Sequence, residues 1–321
     1  MVGRCLHAFA RLASFSVLLI VILCAANFPY DTDAPLSSAE LLAARKYYTE
    51  IYMKPAGDVA IAETAYDRKY QELAEEAAKD YKIAERVSEF VERFNLTKKP
   101  VLEIGSGRGY LQDIAENYTG LDISPNVARF YHKNFVLGTA TALPFADDSF
   151  DGAWSIWVFE HVPNPEQALR ELRRVIRNDG VIYLFPAWNV SAWAAQGYSV
   201  RTYSELDLRG KMIKATIPFR SSNAVRTAGL LSVRLSRKIM AHLGPTALRY
   251  RRLDPNYEQY WMHDSDAVNS IDSHEGALWF LSRGDECLNC GDSPLFLPIV
   301  DAPLVIRVHK PRAIQQSPSK P

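Results

Sequence analysis

The stretch VLEIGSGRG, residues 101–109, decides the fold of this chain. Val101 to Ile104 are suited to a short buried strand, and three alternate glycines follow them. Glycine adopts left-handed backbone conformations at little cost and has no Cβ, so such a loop turns tightly and lets backbone N–H groups approach a ligand. A helix beginning after the loop would add partial positive charge beside that ligand.

Outward from this stretch, strand and helix patterns alternate. We predict further strands over 119–122, 135–137, 150–157 and 181–185, and helices over 110–117, 125–132 and 165–177. Strands alternating with helices at this spacing form a parallel sheet covered on both faces. The predicted fold is therefore α/β, a Rossmann-like doubly wound sheet of about seven strands. It has N-terminal helices and a helical or irregular insertion after strand five.

Composition and the pattern of predicted strands and helices divide the chain into six segments. They are an N-terminal hydrophobic anchor or signal (1–30), a linker and helical cap (31–99), the cofactor-binding half (100–185), a basic and aromatic insertion (186–272), a C-terminal helix and strands completing the sheet (273–310), and a disordered tail (311–321). In the fifth segment we expect a helix over 273–282 and strands near 285–289 and over 303–309.

An uncharged, mostly apolar run extends from Leu12 to Ala26, after Arg4 and Arg11. Its fifteen residues are short for a spanning helix, which needs about twenty. The run also fits the hydrophobic region of a signal peptide, with Cys24 among the small residues before a cleavage site. Two alternatives stay open: an uncleaved anchor, which we favour, and a signal removed on export.

The glycine loop alone is compatible with a nicotinamide dinucleotide site. That fingerprint needs a third glycine for helix packing, and Tyr110 occupies its position. Glu103, directly before the loop, would repel a pyrophosphate but would suit the amine or water donors of a cofactor such as S-adenosylmethionine. Asp122, at the end of the second strand, suits a ribose diol in either case.

Several motifs in order resemble the class I methyltransferases of the small-molecule, type 11-like branch. Beside the loop EIGSGRG (103–109) they are LDIS (121–124), GTATALPF (138–145), DSFD (148–151), FEHV (159–162) and ELRRV (171–175). The resemblance extends from Val101 to Phe185 and implies S-adenosyl-L-methionine as cofactor.

The resemblance also implies a set of cofactor-binding residues. They are Glu103, Gly105, Ser106, Gly107, Asp122, Ile123, Thr139, Ala140 and Trp157. Glu103, Gly105 and Gly107 would bind the methionine end, Asp122 the ribose, and Thr139 would face the adenine amine. Thr139 stands where the family usually has an aspartate, which puts the strength of adenine binding in question.

His161 is the candidate catalytic residue. The methyl group of a sulfonium is already activated, so the protein mainly aligns the reactants and excludes water. A base is needed only where the acceptor is protonated near pH 7. The alternative for His161 is a buried side chain that caps the following helix. Glu160 is expected to be structural.

The insertion is strongly basic. Between Arg201 and Arg252 stand twelve Lys or Arg and two acidic residues, a net charge of +10. Residues 224–243 are predicted to form a basic amphipathic helix, suited either to an anionic membrane surface or to a lid over the active site. Six acidic residues follow between Asp254 and Glu275; we expect them to neutralise the basic stretch or cap a helix, with no metal bound.

The pair Cys287 and Cys290 is weak evidence for zinc; the alternative is two small apolar residues in a late strand.

The expected function is S-adenosylmethionine-dependent methyl transfer to a small-molecule or lipid-linked acceptor. Two alternatives are a catalytically silent cofactor-binding or scaffold protein at the membrane, and a nicotinamide-dependent oxidoreductase. Lys plus Arg equals Asp plus Glu, 37 each, so no nucleic-acid partner is expected. We expect a membrane-anchored protein whose domain faces the cytoplasm, where the cofactor is made, or one exported after signal cleavage.

Overall fold

The computed structural model describes residues 7, 9–19, 30–34, 37–51, 74–256, 264–290 and 302–310. The predicted tail (311–321), much of the helical cap and part of the acidic stretch lie outside these ranges. Residues 9–19 are helical, whereas 20–29, the rest of the predicted anchor, are not described. Within the described ranges, no helix combines the length and apolar content needed to cross a bilayer.

A seven-stranded sheet organises the described part of the chain, in the order β3-β2-β1-β4-β5-β9-β8. Strands β1 to β5 run parallel, and β9 pairs antiparallel with both β5 and β8. Their bounds are β1 Val101–Ile104, β2 Tyr118–Asp122, β3 Asn134–Leu137, β4 Phe150–Ile156, β5 Ile176–Phe185, β8 Glu286–Cys287 and β9 Leu304–Arg307. The doubly wound prediction is confirmed, and the carboxyl ends of β1 to β5 share one edge.

Six helices with defined bounds accompany the sheet in the described ranges. They are α1 Ser38–Ile51, α2 Ile83–Arg93, α3 Pro165–Val175, α4 Leu208–Arg220, α5 Asn223–Ala241 and α6 Ser273–Leu281, with 3-10 turns at Pro125–Phe130, Phe159–His161 and Tyr203–Glu205. Apolar side chains at three- and four-residue spacing, such as Val87, Phe90 and Val91 of α2, are buried in the core. That burial is the reason these amphipathic segments are helical.

Two predicted helices beside the sheet are wrong. Residues 110–117 form turns, because the amides of Gly109, Gln112 and Ile114 donate to carbonyls three residues back rather than four. The segment has only eight residues before β2 begins, which leaves little length for a helix. The predicted helix over 125–132 is the short 3-10 helix Pro125–Phe130.

The insertion contains more order than its sequence suggested. It has α4, α5 and a two-stranded antiparallel ribbon of β6 (Arg251–Arg252) and β7 (Asn269–Ser270). Arg234 of α5 forms a buried ion pair with Asp272, and Arg237 forms one with Glu275. The expected neutralisation by the acidic stretch is therefore confirmed for these two arginines. Both arginines are buried, so neither side chain is available to a membrane surface.

The C-terminal cysteines are joined, Cys287 of β8 to Cys290, in a disulfide. Neither the zinc interpretation nor the reading as two small apolar residues is correct. The cytoplasmic orientation stays a prediction. No group of three or more potential metal-ligating side chains is found in the ranges above.

Candidate active site

The glycine loop follows β1 at the carboxyl edge of the sheet. Gly105, Gly107 and Gly109 have φ angles of +70°, +48° and +71°, which side chains disfavour. A Cβ on Gly105 would lie 2.2 Å from a methyl carbon of Val158, which follows β4. The loop therefore needs glycine both for its backbone conformation and for its close contact with the neighbouring strand.

Ser106, between two of these glycines, has a buried hydroxyl with no hydrogen-bond partner among the described residues. The carbonyls of Ser106 and Gly107 both accept from the Tyr131 hydroxyl at 3.1 Å, which fixes the loop. Buried polar groups are nearly always hydrogen-bonded, so the Ser106 hydroxyl is a group that a ligand would satisfy. Tyr131 was not predicted, and nothing in its local sequence marks it.

Asp122 ends β2 beside this loop and is buried. Its carboxylate accepts from the amide of Gly107 at 2.9 Å and from the amide of Ser124 at 2.8 Å. Burial raises the pKa of Asp122, although these amide bonds oppose the shift. The structure thus brings the glycine loop after β1 and the acid at the end of β2 into one site. Ile123, next to Asp122, is half-buried.

Glu103 is buried within β1, under the loop. The Tyr118 hydroxyl donates to its Oε2 at 2.5 Å. Burial raises the pKa of Glu103 to about 8, and the charge of Asp122 acts in the same direction. Glu103 is therefore protonated near neutral pH without a ligand. The sequence analysis did not predict the role of Tyr118. In the parallel pairing of β1 with β2, Tyr118 lies opposite Val101, two residues before Glu103, and therefore on the same face of the sheet as Glu103.

The residues predicted to face adenine follow β3. The Thr139 hydroxyl lies 3.0 Å from that of Thr141 and accepts from the Thr141 amide at 3.4 Å. Ala140 is buried next to it. Thr139 is therefore already bonded within its own turn, which limits what its hydroxyl offers to a ligand.

Trp157, directly after β4, has the left-handed φ of +53°. Its amide donates to the Phe185 carbonyl at 2.7 Å, and its indole meets the Tyr81 ring edge-on with centroids 5.6 Å apart. Positive φ costs free energy in a bulky residue and is concentrated at functional sites. Trp157 therefore lies at the carboxyl edge of β4, and its contact with the cofactor stays a prediction.

His161 ends the turn after β4, next to the buried Glu160. Its Nδ1 lies 3.5 Å from Asp266 Oδ2 and its Nε2 lies 3.7 Å from Glu160 Oε1. These distances are too long for good hydrogen bonds. Within the described ranges, His161 Nδ1 and both carboxylate oxygens of Glu160 lack partners. Tyr48 of α1 packs edge-on to the imidazole, centroids 5.8 Å apart, and donates to Asp266 at 3.2 Å.

The charges around His161 set its protonation. Burial would lower the pKa of His161, but the neighbouring Asp266 and Glu160 outweigh it and raise that pKa. Burial raises the pKa of Glu160 to about 7, against the effect of His161. The sequence analysis placed Asp266 only in the acidic stretch and did not predict a role for Tyr48. Both residues are far from His161 along the chain, so nothing in the local sequence indicated that they would contact it.

A cavity opens in the insertion next to this turn. It is lined by Asn189, Val190, Ser191, Ala192, Trp193, Arg220, Ser221, Leu230, Arg251, Ser270 and Asp272. Asn269 connects the two regions, since its amide nitrogen donates to the carbonyls of Phe159 and Val162 at 2.8 and 2.7 Å. Arg220 stacks over Trp193, 4.3 Å from the ring centre. The lining thus combines two arginines, the carboxylate of Asp272 and an aromatic ring.

Comparison with known proteins agrees with this site. Residues 102–184 match the family model of a methyltransferase domain. An uncharacterized protein of Methanocaldococcus jannaschii is 36% identical over 130 residues, 38% of this chain and 51% of that protein. Malonyl-(acyl-carrier protein) O-methyltransferase 1 of Coxiella burnetii is 32% identical over 106 residues, 31% of this chain and 38% of its own length.

A third relative is the ubiquinone/menaquinone biosynthesis C-methyltransferase UbiE of Hahella chejuensis. It is 32% identical over 123 residues, 37% of this chain and 49% of its own length. The chain therefore spans about half or less of the length of the curated relatives that it matches.

Proposed function

We propose that this chain, which carries a class I S-adenosylmethionine-dependent methyltransferase domain, transfers a methyl group to an anionic small molecule or lipid-linked acceptor. The family match over residues 102–184 supports the reaction class. The sheet order and the glycine loop at the carboxyl edge support the same class.

The residues at this edge fit the cofactor. Ser106 has a buried hydroxyl with no hydrogen bond among the described residues, and the positive φ angles of the loop glycines give the tight turn that presents backbone N–H groups. We assign Glu103, Gly105, Ser106 and Gly107 to the methionine end and Asp122 to the ribose. Ile123, Thr139, Ala140 and Trp157 then surround the adenine side. When bound, the cofactor supplies an activated methyl group on sulfur.

One observation above all supports chemistry on an acceptor: in the buried Glu160–His161 pair, His161 Nδ1 and both carboxylate oxygens of Glu160 have no hydrogen bond within the described ranges. An acceptor hydroxyl or amine would satisfy these atoms, and His161 would take its proton. Because its pKa is raised, His161 becomes an effective base only as pH rises through that value. The charge of Asp266, 3.5 Å from His161 Nδ1, would stabilise the imidazolium that forms.

The cavity lined by Arg220 and Arg251 is the proposed acceptor site. Arginine binds carboxylates and phosphates with paired N–H donors, so an anionic acceptor suits it. Ser270 of the lining directly follows Asn269, which holds the His161 turn. An acceptor with its anion against these arginines would therefore have its opposite end directed toward the turn.

The test begins with binding of S-adenosylmethionine, S-adenosylhomocysteine and NADH to the full chain by isothermal titration. Binding of the first two ligands alone is expected; binding of NADH alone would overturn the assignment. Transfer is then measured from tritiated S-adenosylmethionine to a total lipid extract and to an aqueous metabolite extract.

His161→Gln is expected to keep S-adenosylhomocysteine affinity and to lose about 10²–10⁴-fold in transfer rate. It should also lose the rise of rate with pH. An unchanged rate and pH profile in His161→Gln would refute the role of His161 but not the cofactor site.

A further inference from the structure

Helix α5 has an exposed apolar face. Leu231, Leu235, Ile239 and Leu243, spaced by four residues along α5 and just past its end, are 41%, 45%, 59% and 85% exposed. The other face buries Leu230 and Val233 together with the two paired arginines. The apolar stripe of this helix therefore lies outside, and its central cations lie inside.

Helix α4 repeats the pattern. Leu208, Met212 and Phe219 are each more than half exposed. Their spacing of four and seven residues places them on one helical face. Two residues, Ser221 and Ser222, join α4 to α5. The helix pair thus exposes two apolar stripes, far more than scattered surface residues would.

The charge on the helix pair has one sign. From residue 208 to residue 243 there are eight Lys or Arg and no Asp or Glu. Arg234 and Arg237 are neutralised by Asp272 and Glu275, but Arg209 and Lys211 on α4 are exposed. Exposed apolar stripes with flanking cations are typical of helices that lie in the interface of an anionic membrane. The exposed Glu205 and Asp207 directly precede α4 and offset part of its charge.

The N-terminal hydrophobic segment is tied to the domain beside the end of α5. Arg249 donates to the Tyr30 carbonyl at 2.8 Å, and the Arg252 amide donates to Asp31 at 2.9 Å. Asp33 accepts from the amides of Glu166 and Gln167 at the start of α3. Residues 9–19, which precede this tie, form a helix with exposed apolar side chains.

We propose that α4 and α5 form a docking surface for an anionic lipid bilayer. The apolar stripes on the two helices enter the headgroup region, while the exposed Arg209 and Lys211 contact lipid phosphates. The buried pairs Arg234–Asp272 and Arg237–Glu275 fix α5 on α6, so that its apolar face stays outward. This surface is separate from the glycine loop, and its exposed stripes do not line the proposed acceptor cavity, although Arg220 of α4 and Leu230 of α5 do.

Hydrogen–deuterium exchange of the full chain tests the surface peptide by peptide. The exchange rate is compared between the chain mixed with vesicles of phosphatidylcholine alone and the chain mixed with vesicles of phosphatidylcholine and phosphatidylglycerol. Exchange within 208–243 is expected to slow in the anionic vesicles, and added salt should reverse the effect. Leu235→Glu should reduce the protection about tenfold, since it removes an apolar side chain and adds a repelled charge. Leu42→Glu, an equally drastic change at an exposed leucine of α1, should leave it unchanged.

Binding of S-adenosylhomocysteine by both variants serves as the folding control. Unchanged exchange within 208–243 on anionic vesicles, or equal loss in Leu42→Glu, would overturn the proposal. Protection that appears without vesicles and grows with protein concentration would also overturn it, in favour of a second copy on this surface.

Discussion

Glu103 offers the sharpest test of the cofactor site. Burial raises its pKa to about 8 in the ligand-free protein. A ligand ammonium beside the carboxylate would favour its ionised form, so binding must release a proton. Affinity then rises with pH, by up to tenfold for each unit below that pKa. Between pH 5.5 and 7.0 the gain is about thirtyfold, or about 2 kcal/mol.

The assay is isothermal titration of S-adenosylhomocysteine into the full chain across this pH range, in buffers of different ionisation enthalpy. The buffer dependence counts the protons released, and about one is expected at pH 6.5. Glu103→Gln keeps the shape of the side chain but cannot ionise. It should bind weakly, with little dependence on pH.

Glu160→Gln is the matched control, because Glu160 is also buried with a raised pKa but lies after β4. This variant should keep the pH slope. A flat profile in the unmodified chain, or the same slope in Glu103→Gln, would refute the assignment of Glu103 to the ligand ammonium.

Three further predictions concern the loop, the insertion and the adenine side. Gly105→Val would bring a Cβ within 2.2 Å of a neighbouring methyl carbon, so S-adenosylhomocysteine affinity should fall at least tenfold in titration. Arg234→Met leaves Asp272 buried without its bidentate partner and should cost about 3–5 kcal/mol in urea unfolding; exposed Arg209→Met should cost under about 0.5 kcal/mol. Thr139→Asp restores the family's carboxylate and should tighten S-adenosylhomocysteine binding several-fold; unchanged or weaker binding would show that adenine is held elsewhere.

The sequence by itself determined the sheet and its ligand-binding edge. Alternating strand and helix patterns between residues 101 and 185 are local signals, since hydrophobic period and glycine turns depend on neighbours along the chain. They placed Glu103, Gly105 and Asp122 at the ends of adjacent parallel strands, and the structure brings these residues together.

The tertiary structure alone decided which polar groups meet. Tyr131 reaches the glycine loop from 24 residues away, and Asp266 reaches His161 from the insertion. The orientation of α5 was also beyond the sequence, because a basic amphipathic pattern does not say which face turns inward. Arg234 is buried since Asp272 lies opposite it and pairs with it. Such pairing depends on contacts between distant segments, and an isolated charge is otherwise too costly to bury.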